Sequence, residues 1–319
     1  MMGRMMMDRL DRDQSRGPAA GGLLGDARLL SGAAAGLAAA VLLLWSMRGL
    51  PLGVAALWLT PLPLFLAGLG FGLVSLSIAL IVAAPLLFAL GGSLPAALFL
   101  GAMGGPVVAL LLAARPGPNG LALPFTLLGI IPALGILVAA LLLADQPGGL
   151  EGVLSQAARI GAARMGLAAG EMMIADLARV KAAAIGFWLV LALLLNAAAA
   201  AGLLRRFGLL AERPRFRLAR LPGWYLVLPG TAGLFWLAGF DGGVGVSLLL
   251  ALTAPLLLHA LAAIHRLTLG RTGRPALLAA LYVALLLFAV PMSIALSGFA
   301  LIDIFLGNRG RGAMPPAAR

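Results

Sequence analysis

The chain reads as an all-α protein, a polytopic transmembrane helical bundle of about eight or nine spans, and three observations predict it. Long runs at 29–47, 50–90, 94–114, 121–144, 182–204, 222–240, 243–264 and 275–302 hold almost no charge. A helix needs about 20 mainly apolar residues to cross the hydrocarbon core, and most of these runs are at or near that length. Composition agrees, with 62% hydrophobic and 11% charged residues and a mean hydropathy of +1.07. Segments such as AAAGLAAAVLLLW do not alternate apolar and polar residues, as barrel strands would. In lipid every backbone amide needs an internal partner, so helices are the solution left.

The elements follow in order. Residues 1–28 form a polar tail of mixed charge, and its five Met among the first seven residues suggest a start further in. The first span lacks a clear small-residue cleavage site and is soon followed by others, so it is expected to be an uncleaved anchor. The stretch from Gly49 to Ala114 is too long for two helices. Gly70–Gly72 and Gly91–Ser93 are its natural breaks, which predicts three spans. Pro61 and Pro63 predict a kink or a broken helix in the first of them. RPGPNG at 115–120 is a turn, and DQPGG at 145–149 ends the next span.

Residues 150–181 spread charges among apolar residues at helical spacing. They predict a surface-lying amphipathic helix or helix pair, with a small extramembrane cap as the alternative. Spans at 182–204, 222–240 and 243–264 follow. The run 275–302 is overlong for one span and contains Pro291, so it tilts, kinks or re-enters. The transmembrane domain thus covers 29–304, and 305–319 is a basic tail.

The net charge is +12, from 23 Lys+Arg against 11 Asp+Glu. The basic residues lie between spans, which is how membrane proteins set orientation, and no aromatic-interleaved basic groove points to nucleic acid. The loop 205–220 holds Arg205, Arg206, Arg213, Arg215, Arg217 and Arg220 against one Glu, and 266–274 adds Arg266, Arg271 and Arg274. Both are expected to be cytoplasmic. Nine spans with the N-terminus inside place the C-terminal Arg309, Arg311 and Arg319 outside, against the rule. A re-entrant 275–302 removes that conflict. Trp224 and Tyr225, at the start of a span, suit the membrane interface. The absence of cysteine excludes disulfides and thiolate metal sites.

The candidate functional residues are few. Pro61, Pro63, Gly68, Gly70 and Gly72 make irregular backbone in TPLPLFLAGLGFG, and transporters place binding sites at such breaks. A kinked helix beside a tight turn is the plainer alternative. Gly32/Gly36, Gly68/Gly72, Gly101/Gly105 and Gly239/Gly243 have the spacing that lets helix backbones approach, though a glycine-rich chain produces such pairs by chance. Asn196 is a polar side chain deep in its span, suited to bonding a neighbouring helix. His259 and His265 sit about 240° apart on a helix and do not share a face, whereas His259 and Arg266 do. Asp303 ends the last apolar run. An acidic group there marks a function or pairs with an arginine. No zinc, Walker A or nucleophile-elbow motif is present, and neither cofactor nor metal is expected. The six arginines of 205–220 suit anionic headgroups or a cytoplasmic partner.

Several stretches resemble the YybS-like bacterial membrane family, known as domain of unknown function 2232. They are NAAAAAGLLRRFGL at 196–209, RLARLPGW at 217–224, LLLHALAAIHR at 256–266, LIDIFLGNRGR at 301–311, and PLPLFLAGLGFG at 61–72. The resemblance covers most of the chain from about residue 30. It implies a polytopic inner-membrane protein, distantly similar to the substrate-binding subunits of energy-coupling-factor transporters. In those a small-residue face of the first span docks a coupling subunit, and Ala34/Ala38 or Ala35/Ala39 fit that pattern. ATP-driven transport would need separate subunits, since this chain has no nucleotide-binding motif. The leading expectation is a transport-related protein binding a small or lipid-like ligand in the bundle, with the bilayer and other membrane subunits as partners. A scaffold recruiting a cytoplasmic partner through 205–220 is the second expectation, and a lipid-modifying enzyme the third.

Overall fold

The computed structural model of the chain describes residues 26–114, 120–164, 171–210, 219–239 and 244–312. Every described element is helical, and eight helices are long and apolar enough to cross a membrane. The protein is an all-α, multi-pass membrane protein. Its residues fall into two compact units that divide between Ala96 and Ala97.

The first unit is built on α1 (Ala27–Met47), which starts where the Asp26 side chain accepts the Arg28 N–H at 2.8 Å. Around it lie α2 (Gly53–Leu59), α3 (Pro61–Phe71) and α4 (Leu73–Gly91). Helix α1 meets α4 through Gly32 and Gly36. A Cβ on Gly32 would fall 2.5 Å from the Ser75 carbonyl oxygen, and one on Gly36 would fall on the Ala79 backbone. Ser31 and Ser75 hydroxyls share a 2.9 Å hydrogen bond at the same contact. Close backbone approach of this kind is what small residues four apart permit. The other pairs do not work this way. A Cβ on Gly72 or Gly101 would meet nothing within 4 Å, one on Gly105 would meet only the Leu100 carbonyl of its own chain turn, and Gly243 lies outside the described residues.

The breaks in this unit fall at single residues. Gly72 (φ 89°) separates α3 from α4, and Gly92 (φ 88°) ends α4, both in backbone conformations that favour glycine. Pro61 begins α3, yet Thr60 between α2 and α3 keeps right-handed helical dihedrals (φ −53°, ψ −39°), so Gly53–Phe71 stays one span interrupted at a single residue. The freed carbonyls are satisfied locally. Ala56 O accepts the buried Thr60 hydroxyl at 3.0 Å, and Leu57 O accepts the Thr60 N–H at 3.3 Å.

The unit boundary falls inside α5 (Ser93–Leu98), which runs through a π-helical turn at Phe99–Gly104 into α6 (Gly105–Ala113). The second unit continues with α7 (Ala122–Leu142), α8 (Gly149–Arg164) and α9 (Glu171–Arg206). A 3-10 turn (Gly223–Leu226) leads into α10 (Val227–Leu237). Then come α11 (Val244–Leu267), α12 (Arg274–Leu287) and α13 (Ala289–Gly312). Helix α11 is the centre. Its membrane window is 72% buried, against 17–39% for the other seven candidate spans, and α7, α9, α10 and α13 all pack on it.

Two sequence expectations change here, and a third becomes specific. The charged residues 171–181 do not form a separate surface helix, because α9 runs unbroken from Glu171 to Arg206. At 1.5 Å per residue its 36 residues extend about 54 Å, well beyond a core of about 30 Å. Neither glycine nor proline interrupts 171–182, so the change of hydropathy there does not end the helix. Residues 222–240 form a 3-10 turn and an 11-residue helix instead of a full-length spanning helix. Finally, 275–302 is two helices with a break at Phe288, which leaves Pro291 in the first turn of α13, where its missing N–H breaks no helical bond.

Two packing pairs fix the path of the chain. Leu221 bonds to His259, and Tyr225 bonds to Leu252, so 221–237 runs antiparallel to α11. Arg220, next to the bonded Leu221, and the arginine-bearing stretch 266–274 therefore lie towards one end of this unit. Asp303 bonds to Arg266, so α12 and α13 leave that end and return to it. Helix α13 continues past Asp303 to Gly312.

Tyr225 is fully buried and is no interfacial anchor, unlike its neighbour Trp224, which is 53% exposed. Its hydroxyl donates to Leu252 O at 2.8 Å, three residues before Pro255 within α11. Gly129 of α7 makes room for both, since a Cβ there would strike the Tyr225 hydroxyl and lie 2.7 Å from Pro255 Cγ. Tyr225→Phe is expected to destabilise the protein by about 1 kcal/mol, from the lost hydrogen bond. Thermal unfolding in detergent measures this. A variant as stable as the parent would show that this bond adds nothing to stability.

Candidate functional site

The polar centre of the second unit is built on α11. The run of alanines and leucines in LLLHALAAIHR makes a well-packed helix, and seven residues bring His259 and Arg266 back to one face. Helix α13 supplies Asp303 opposite them, and the segment after the arginine loop supplies the Leu221 amide.

Leu221 N–H donates to His259 Nδ1 at 3.1 Å. A backbone amide only donates, so Nδ1 must accept and carries no proton. The proton of the neutral ring is then on Nε2, which donates to Asp303 Oδ2 at 3.0 Å. Arg266 Nη2 donates to the same carboxylate, at 3.1 Å to Oδ2 and 3.4 Å to Oδ1. The chain of bonds is therefore Leu221 to His259 to Asp303, with Arg266 closing it. His259 is almost wholly buried, while the Asp303 and Arg266 side chains keep 26% and 19% exposure. Charge is balanced between Asp303 and Arg266, which removes most of the penalty of placing either alone at membrane depth.

This arrangement limits the chemistry. Both ring nitrogens of His259 are engaged, so the ring offers no lone pair to act as a base or to ligate a metal. What it does well is hold three segments together: the strap at Leu221, α11 and α13. His265 faces elsewhere, with Nε2 at 3.1 Å from the Tyr282 hydroxyl. The described residues contain no group of three or more His, Asp or Glu placed to hold a metal ion.

The remaining candidates are placed as follows. Asn196 is buried in α9, where its Nδ2 donates to Ala192 O of its own helix at 2.7 Å. Pro61, Pro63, Gly68, Gly70 and Gly72 belong to the first unit, in and just after α3. Arg205 and Arg206 end α9, and Arg220 adjoins the bonded Leu221. Arg213, Arg215 and Arg217 lie outside the described residues. The structure thus brings His259 and Asp303 together, across 44 residues of sequence. Leu221 was missed because a backbone amide leaves no trace in a sequence. Comparison of the chain with protein-family models, curated proteins and solved structures returned no match.

Proposed function

We propose that the chain is a transport-related protein of the bacterial inner membrane that binds a small or lipid-like ligand within its helical bundle. The observation carrying this reading is the His259–Asp303–Arg266 cluster on α11 and α13. Ionisable groups on membrane helices are costly and occur mainly along substrate or ion paths. Asp303 and Arg266 are partly open, so an incoming ligand can exchange their mutual contact for contacts of its own. The likeness to the YybS-like family, and through it to energy-coupling-factor substrate-binding subunits, supports the same reading. Energy coupling then comes from separate subunits.

The test is thermal unfolding of the purified protein against a panel of vitamins, nucleobases, metal ions and lipids, beside uptake measurements in a deletion strain. A ligand at 100 times its Kd raises stability by about 2.7 kcal/mol. One panel member is expected to raise the Tm, and Asp303→Asn to reduce that rise. An unmoved Tm across the panel together with unchanged uptake in the deletion strain would count against the proposal.

A further inference from the structure

Residues 219–222 are not helical, and Leu221 meets α11 at His259, about 12 Å short of that helix's end at 1.5 Å per residue. Non-helical backbone at such depth needs partners from the protein, because lipid offers none. Two bonds pin this strap to α11. Leu221 N–H donates to His259 Nδ1 at 3.1 Å, and the Tyr225 hydroxyl donates to Leu252 O at 2.8 Å. The tyrosine bond joins a hydroxyl to a carbonyl, and neither group titrates near neutral pH. The other bond needs a bare imidazole nitrogen, and imidazole ordinarily takes its second proton near about pH 6.5. Pro222, which has no N–H to hold, and Gly223 separate the two bonds. The strap can therefore lift at Leu221 while Tyr225 stays in place.

A proton on Nδ1 turns that acceptor into a donor facing the donor of Leu221. The closed strap has no place for it, and Nε2 already carries the ring's proton to Asp303. Once the strap lifts, Nδ1 is free to take the proton. The partly exposed Asp303 carboxylate then holds the imidazolium through Nε2. Among the described residues, the charges around the ring are few. Asp303 on α13 favours the cation in either state, and Arg266 on α11 opposes it in either state. Arg220 opposes it with the strap closed and moves away with Leu221, its neighbour in sequence. His265 faces Tyr282 instead. Of the other helices packed on α11, α7 and α10 carry no ionisable side chain, and those of α9 lie outside its apolar run 182–204.

We infer that the Leu221–His259 bond is an acid-released latch: uptake of a proton by His259 and lifting of residues 219–222 from α11 are one event. The closed strap binds one proton fewer than the open one. Closure is therefore favoured above about pH 6.5 and weakens below it, by up to about tenfold per pH unit. Burial of Ala219 and Leu221 holds the strap down at neutral pH. The latch goes beyond the ligand-binding reading and works with or without a ligand.

The test is amide hydrogen exchange of the full chain in nanodiscs, read by mass spectrometry between pH 7.5 and 5.5, with each rate divided by the intrinsic rate at that pH. Protection of the Leu221 amide is expected to fall by about tenfold across this range, while the amides of α7 keep theirs. His259→Asn puts an amide oxygen near the place of Nδ1 and does not titrate, so its Leu221 protection is expected to be independent of pH. Asp303→Asn withdraws the charge that favours the imidazolium, so the fall is expected to move to lower pH. This second variant decides the matter if the first does not fold. Constant Leu221 protection in the parent would overturn the inference, as would a fall shared by α7, which is general loosening. So would a fall that persists in His259→Asn, or one left unmoved by Asp303→Asn.

Discussion

Asp303→Ala is expected to destabilise the protein by about 2–3 kcal/mol. The carboxylate accepts from His259 Nε2 and Arg266 Nη2. Removing it strands an imidazole N–H on a buried ring and a guanidinium that is mostly enclosed. Loss of one partner from a fully buried pair costs about 3–5 kcal/mol, and the partial exposure of Asp303 and Arg266 lowers that here. Asp303→Asn keeps the shape and one acceptor, so about half the loss is expected. Unfolding in detergent, run as a double-mutant cycle with Arg266→Gln, separates the pair from its surroundings. Additive effects would show that Arg266 and Asp303 are close without being coupled.

Gly36→Leu is the second large effect, in the first unit. Its Cβ would fall on the Ala79 backbone, which cannot swing aside as a side chain can. The two helices must separate, breaking the Ser31–Ser75 hydrogen bond and uncovering Ala39 and Ala40, both fully buried. Overpacking of this kind costs about 1–3 kcal/mol, and a leucine against backbone belongs at the upper end. Ala38→Leu, on the exposed side of α1, is the control and is expected to change stability by no more than about 0.5 kcal/mol. Equal behaviour of the two variants in thermal unfolding would contradict the packing described for α1 and α4. The same packing bears on the expected docking of a coupling subunit. Ala35 and Ala39 are buried within the unit, whereas Ala34 and Ala38 remain exposed.

The bundle was legible because a bilayer demands long apolar helices, and composition alone reports them. The breaks at Gly72 and Gly92 were legible because positive φ favours glycine. Other features depend on partners far along the chain. The hydropathy change near residue 181 looked like an element boundary, yet backbone bonding carries α9 straight through it. Tyr225 looked like an interfacial aromatic, and only the cavity left by Gly129 shows why it is buried. His259, Arg266 and Asp303 were each visible as ionisable groups in apolar runs. Their assembly needed the return of α13 to the end where α11 finishes, which periodicity cannot supply.

The most direct test of the account is affinity purification of the full chain from native membranes in mild detergent, with mass spectrometry of bound small molecules and proteins. The ligand-binding account predicts a small molecule or lipid in near-stoichiometric amount, depleted from Asp303→Asn protein that remains folded. Protein recovered without any enriched small molecule or lipid, from both parent and variant, would contradict it.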